Sequence, residues 1–327
     1  MMDGKAFAGP LFIVGRPRSG TKLLRDLLNE HSQVAITVNE SHFIPYYYHE
    51  IHKFGDLRKR ENFERFYNEL SKITFIRRLK KKNKSVSPDL WHESVEDWSY
   101  AGIVEAFYRA YARREGKIIW GDKTPSYLTQ LPLLYALFPT AKVIHIIRDA
   151  RDYCISINKA WGKNMYRAAQ QWVDQVAKCR KDGAPHSGDG YHEMKYEALL
   201  DHPKETIGQL CEFIGIEFEE DMLRLNVPSE NLGDTKGATV IVKGNHGKWK
   251  NSLEPAQVQR IERICGPLMR QLGYPVSYEG DAAPPHRLLM GLYKLSDGFN
   301  LMRFEYAEEK RLLAVLKGLL LAQKIKG

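Results

Sequence analysis

Gly15-Arg-Pro-Arg-Ser-Gly-Thr-Lys22 packs three cations and two hydroxyls between an apolar run and a leucine-rich segment. A glycine loop at such a junction turns backbone N–H groups and the positive end of a helix toward one point, where an anion sits. Gly15 and Gly20 fit the GxxxxGK(S/T) phosphate pattern, but Thr21-Lys22 inverts its last pair. The hydroxyl that would hold Mg²⁺ is displaced, and Arg18 puts a cation inside the loop. That combination suits an anion neutralised by protein side chains rather than a metal–nucleotide. A second cationic point is Arg148, with Ser156 eight residues on. An arginine ending a strand can fork two N–H donors onto a phosphate, and a serine two helical turns later reaches the same group.

These residues need elements to position them. Leu11 to Val14 reads as a buried strand, and Leu23, Leu24, Leu27 and Leu28 recur at helical spacing after the loop. Val34 to Val38 is a β-branched second strand, which puts Asn39 to Pro45 at its carboxyl end, where open α/β sheets bind ligands. Residues 46–115 read as mainly helical and contain a dense basic run, 77–84, with Trp91 and Trp98 beyond it as core or pocket-wall aromatics. The run is a solvated helix end or a landing strip for an acidic acceptor. A strand from Lys117 ends in a polar turn at Pro125, and a short helix runs from Leu131 to Phe138. Ala141 to Ile147 is near-continuously apolar, as in a strand buried on both faces of a parallel sheet. One helix is expected from Asp152 to about Lys181, then a loop, a strand from Tyr191 to Tyr196 and a helix over 203–214. Residues 226–247 are loop-like, and a helix spans about 254–272. The alternation predicts an α/β fold: a P-loop-like parallel sheet flanked by helices. The expected division is a main domain over 1–280 and a helical C-terminal extension over 281–327. That tail places Leu312, Leu316, Leu319 and Leu320 on one face among Lys310, Arg311 and Lys317. It reads as packing on the domain or on a second subunit, with a basic membrane-surface helix as the alternative.

At 327 residues, 43% hydrophobic and 27% charged, the chain is long enough to bury a substantial core. The net charge of +9 favours anionic partners. Cys154, Cys179, Cys211 and Cys265 form no CxxC and pair with no nearby histidine at metal spacing, which argues against zinc and for reduced thiols in the cytoplasm. The first apolar run is too short for a leader, and no stretch reaches the about 20 apolar residues that span a bilayer.

The loop resembles the 5′-phosphosulfate loop of sulfotransferases that use 3′-phosphoadenosine 5′-phosphosulfate (PAPS), most closely the PRSGT-type branch with tyrosylprotein and many bacterial enzymes. Four further segments fall in that family's order. Ile146 to Ser156 is similar to its 3′-phosphate motif, which implies that Arg148 and Ser156 hold that group. Lys243-Gly-Asn-His-Gly-Lys-Trp-Lys250 resembles the late KGxxGxWK loop, implying contacts from Lys243 and Gly244. Asn39-Glu-Ser-His-Phe43 resembles a Glu-x-His-Phe segment of glycan sulfotransferases, implying Glu40 as base, with His42 the alternative. Asp122-Lys-Thr-Pro-Ser-Tyr127 resembles a lysine-bearing KTP segment, in which Lys123 stabilises the sulfuryl group or holds the acceptor. Tyr196 matches a Tyr-Glu element near adenine. Lys22 departs from the branch, which has threonine there, and nothing in the pattern accounts for the tail after residue 280.

The resemblance implies in-line sulfuryl transfer with no covalent enzyme intermediate and no metal required. Glu40 takes the acceptor proton, while Arg18, the loop amides of Ser19, Gly20 and Thr21, and Lys22 face the charge building on the bridging oxygen. A hydroxyl-bearing acceptor is expected, a carbohydrate, a small molecule or an acidic compound. No nucleic-acid partner is expected, and the tail allows a homodimer or peripheral membrane contact. Two other classes fit the loop alone: a small-molecule kinase using Mg-ATP, and a silent anion- or membrane-binding module.

Overall fold

The computed structural model describes residues 7–229 and 234–309. The chain opens with β1 (Leu11–Gly15), α1 (Thr21–Asn29) and β2 (Val34–Ile36). Five helices follow: α2 (Phe43–Glu50), α3 (Arg60–Leu70), α4 (Thr74–Lys81), α5 (Pro88–Glu93) and α6 (Tyr100–Arg114). Then come β3 (Ile119–Lys123), α7 (Leu131–Leu137) and β4 (Lys142–Ile147). After them lie α8 (Ala150–Trp161), α9 (Met165–Gly183), β5 (Tyr191–Lys195), α10 (Tyr196–Asp201) and α11 (Pro203–Ile214). The chain then forms α12 (Trp249–Ser252), α13 (Pro255–Gln271) and α14 (Arg287–Glu309).

The five strands form one parallel sheet in the order β2-β3-β1-β4-β5. Every residue of β1 and all but the first of β4 are buried, as continuous apolar runs require of central strands covered on both faces. From β1 the chain leaves toward β2 on one side, and from β4 toward β5 on the other. The crevice beyond their carboxyl ends is therefore the topological switch point, where such sheets bind ligands. The register sets Gly15 opposite Ile146, so the loop after β1 and Arg148 after β4 open into the same crevice.

One side of the sheet packs on an aromatic core from α2 to α7, which includes Phe43, Phe63, Phe66, Trp91 and Phe107. Trp91 is fully buried and donates its indole N–H to the Ile103 carbonyl at 2.7 Å, while Trp98 packs half-buried on the same core. Both are core residues. The basic run lies on the end of α4 and beyond, where Arg77, Arg78 and Lys80 to Lys82 are exposed and Leu79 faces inward. Lys84 pairs with Glu115. The run is thus a solvent-exposed helix end.

The long helix expected to about Lys181 is two helices. Gly162 ends α8 in the left-handed region at φ 63°, and the Asn164 side chain accepts the first N–H groups of α9 from Tyr166 and Arg167. β2 stops at Ile36, and β3 begins at Ile119 and runs to Lys123. The start of the tail packs on the body. Asp297 on α14 takes the Asn164 N–H at 2.7 Å and the Arg167 guanidinium at 2.6 Å, and Asn300 reaches the Gly162 carbonyl. Leu312, Leu316, Leu319, Leu320, Lys310, Arg311 and Lys317 lie outside the described residues. Among the described residues no helix is long and apolar enough to cross a membrane. The four cysteines are buried and free.

One buried ion pair ties α8 to the chain beyond it. Glu262 on α13 is fully buried and takes the Arg151 guanidinium at 2.7 Å, together with the amides of Ser277 and Tyr278 and the Ser277 hydroxyl. Removing one partner of such a pair strands the other charge. Glu262→Ala is expected to lower stability by about 3–5 kcal/mol in chemical denaturation. A loss under about 1 kcal/mol would place the pair among those that merely break even.

Candidate active site

The loop after β1 turns through two left-handed positions, Arg18 at φ 70° and Gly20 at φ 88°. No described side chain caps α1, so its first amides point into the crevice. The Gly20 position is closed to other residues: a Cβ there would stand 2.2 Å from the Tyr196 ring. Ser19 is buried, and its hydroxyl has no hydrogen-bond partner among the described residues. Arg16 is held away from the cleft by Tyr153, Gln171 and Gln175.

Arg148 ends β4 beside this loop. One guanidinium nitrogen donates to the Arg18 carbonyl at 2.9 Å and another to the Asn245 carbonyl at 3.4 Å. The group lies 4.7 Å over the Tyr196 ring, and its Nε is buried with no partner among the described residues. Arg18 Nε donates to the Ser156 hydroxyl at 3.3 Å. The cleft is lined by Arg18, Gly20, Arg148, Ser156, Tyr196 and, from the late loop, Asn245 and Lys248. Orphaned donors and an open helix end along one cleft fit an anion, and fit one with charge at two points.

Glu40 sits across the end of the sheet, on the turn after β2. Its Oε1 takes the Lys123 ammonium at 2.9 Å, and its Oε2 lies 3.1 Å from His42 Nε2. A carboxylate only accepts, so His42 carries a proton on Nε2, and its Nδ1 is hydrogen-bonded to the Ser126 hydroxyl at 3.1 Å. Burial pushes the Glu40 carboxyl up, but Lys123 and then His42 pull it further down, and the net is a group well below the usual carboxylate range. Beneath it, the Thr124 hydroxyl takes the Ser41 amide at 2.9 Å, and Tyr127 meets the Ser41 hydroxyl at 2.8 Å. Asp122 is fully buried, receives the Tyr108 hydroxyl at 2.5 Å and is pushed up by burial. This network fixes the Glu40 turn to the end of β3.

The structure brings Arg18, Gly20, Arg148, Ser156 and Tyr196 to one cleft, with Ser19 buried in the loop beside it, and joins Glu40, Lys123 and His42 in one cluster. Thr21 is buried and Lys22 half-buried at the start of α1. Lys243 and Gly244 are exposed and do not border the cleft; Asn245 and Lys248 of the same loop do. Sequence reasoning passed over Ser126, Asn245 and Lys248. The loop motif held the last two, but its glycines hide which side chains turn inward. Arg148, Asp149, Arg151 and Asp152 are all buried, so they do not form a surface ion-pair cluster. Among the described residues no group of three or more His, Cys, Asp or Glu side chains could hold a metal ion.

Fold and cleft together define an α/β protein with a glycine loop and an uncapped helix start at its sheet's switch point. A model of the sulfotransferase family matches residues 10–220. The zebrafish (Danio rerio) protein-tyrosine sulfotransferase 1 is 22% identical over 297 residues, 84% of this chain and 74% of that protein. An uncharacterized protein of Aquifex aeolicus is 24% identical over 229 residues, 65% of this chain but 26% of its own length. The sulfotransferase domain of the Synechococcus PCC 7002 olefin synthase has the same fold, with a TM-score of 0.56 at 23% identity, covering 84% of this chain and 98% of that domain. The chain belongs to the sulfotransferase family.

Gly20→Ala is expected to push the Tyr196 ring off Arg148 and cost about 1–3 kcal/mol, the scale of overpacking. In a Tyr196→Ala background the same change should cost clearly less, as read in a denaturation double-mutant cycle. Equal costs in both backgrounds would show that the ring contact does not enforce glycine.

Proposed function

We propose that this protein moves the sulfuryl group of PAPS to a hydroxyl acceptor, a carbohydrate or a small molecule. The observation that carries the reading is a pair of adjoining cationic points on one cleft. The glycine loop with Arg18 forms one, and Arg148, which bonds the Arg18 carbonyl and whose Nε has no partner among the described residues, forms the other. A nucleotide charged at both its 5′ and 3′ positions matches them. The loop amides, Arg18 and Lys22 would meet the 5′-phosphosulfate. Arg148, Ser156 and the late loop, with Lys243 and Gly244 in the family's pattern, would meet the 3′-phosphate, and Tyr196 would lie alongside.

In the proposed reaction the acceptor oxygen attacks sulfur, and the bond from sulfur to the bridging oxygen breaks. The electron pair leaves with that oxygen, which Arg18 and the loop amides stabilise, each such donor being worth about 2.7–4 kcal/mol. The acceptor proton goes to Glu40. A carboxylate this weakly basic suffices if proton transfer is late, because a hydroxyl bonding to sulfur becomes strongly acidic. Lys123 can turn from Glu40 toward the transferred group, and losing its charge raises the carboxylate's proton affinity at that moment.

Calorimetry tests the donor. Adenosine 3′,5′-bisphosphate should bind without metal and more tightly than AMP, and Arg148→Ala should weaken it by about 1.5–3 kcal/mol while scarcely affecting AMP. Preference for Mg-ATP would overturn the reading in favour of a kinase. Glu40→Gln should abolish turnover and spare donor binding; retained turnover would remove Glu40 as base. The pH profile tests the Lys123 pairing. A depressed carboxyl stays ionised through neutral pH, so the wild type should show no acid limb from Glu40 above the carboxylate range. In Lys123→Met the larger pull is gone while burial and the His42 contact remain, so the residual rate should fall on the acid side about one pH unit or more higher. An unmoved limb would contradict the pairing.

A further inference from the structure

Asp152, one turn into α8, is 1% exposed and borders the cleft, yet both its oxygens face backbone rather than ligand. Oδ2 takes the Gly247 amide at 2.5 Å and Oδ1 the Trp249 amide at 2.9 Å. Its neighbour Arg151 lies 3.7 Å from the Trp249 ring and is itself clamped by Asp149 and Glu262. The same loop carries Asn245, whose carbonyl meets Arg148 and whose amide nitrogen donates to the Tyr196 hydroxyl at 2.9 Å. It also carries Lys248, on the cleft wall. Gly244 and Gly247 are both left-handed, at φ 70° and 67°, so the loop's own backbone gives it little stiffness. A carboxylate beside a phosphate site repels the ligand unless its charge is engaged, and charge-assisted bonds to two amides engage it.

We propose that Asp152 is a positioning residue that staples the Asn245–Trp249 loop over the 3′-phosphate end of the donor cleft. The proposal rests on the donor reading above. Arg148 is aligned from below by Arg18 and Tyr196 and from above by this loop. Losing the staple frees Asn245 and Lys248 while the Arg148–Arg18 bond and the Glu40 cluster keep their own partners. The defect should therefore fall on the 3′-phosphate alone.

The test uses the full chain as wild type, Asp152→Ala and Asp152→Asn, the last keeping one acceptor oxygen for two amides. Hydrogen exchange should quicken at the Gly247 and Trp249 amides, and adenosine 3′,5′-bisphosphate should bind about 10-fold more weakly, the scale of lost charge-assisted bonds. AMP affinity should stay unchanged, donor KM should rise and kcat should hold, with Asp152→Asn intermediate. Should Asp152→Ala fail to fold, Asp152→Asn decides by the same readouts. Equal weakening of both ligands, or unchanged exchange and affinity, overturns the role of Asp152. A wild type that binds the bisphosphate no better than AMP overturns the donor reading first, and the staple's purpose with it.

Discussion

A hydrogen bond from Arg148 to the carbonyl of Arg18 joins the end of β4 to the loop after β1. It exists because the two strands are parallel neighbours in register, Gly15 beside Ile146. Parallel pairing brings both carboxyl ends out on one edge, and the switch in chain direction leaves the crevice between them open. The two cationic points are therefore set by the sheet rather than by flexible side chains. Tyr196 fills the space between Gly20 and Arg148, so the residues after β5 lock the same geometry from the third strand over. The late loop then closes on top through Asn245.

The second centre, at the end of β3, obeys a different constraint. Lys123 is almost wholly buried, so its charge needs a partner, and Glu40 supplies one. That pairing keeps Glu40 ionised at the expense of its basicity. His42 is meanwhile held between Ser126 and Glu40, with both ring nitrogens engaged. The buried hydrogen bonds among Ser41, Thr124 and Tyr127, and from Tyr108 to Asp122, tie the turn that carries Glu40 to the end of β3.

Much of this was legible in the sequence. β1 and β4 were readable because strands buried on both faces are continuous apolar runs, and the glycine loop because only such residues make that turn. Glu40 and Lys123 were each legible as candidates through family resemblance, but their contact was not, since 83 residues separate them. The break at Gly162 was signalled by a glycine followed by an asparagine cap, but apolar periodicity on both sides masked it. From the sequence Asp152 is only a residue at the start of a helix. Its amide partners lie about a hundred residues later in a loop without periodicity, where direction depends on glycine dihedrals. The inward turn of Asn245 and Lys248 in place of Lys243 and Gly244 has the same origin.

The central claim is that one nucleotide bridges the two cationic points across the β1–β4 crevice. A crystal structure with adenosine 3′,5′-bisphosphate tests it most directly. The account predicts the 5′-phosphate against the amides of Ser19 to Lys22 and the 3′-phosphate within hydrogen-bond reach of Arg148 and Ser156. A nucleotide bound with its 3′-phosphate away from Arg148, or a cleft that stays empty at saturating ligand, would contradict it.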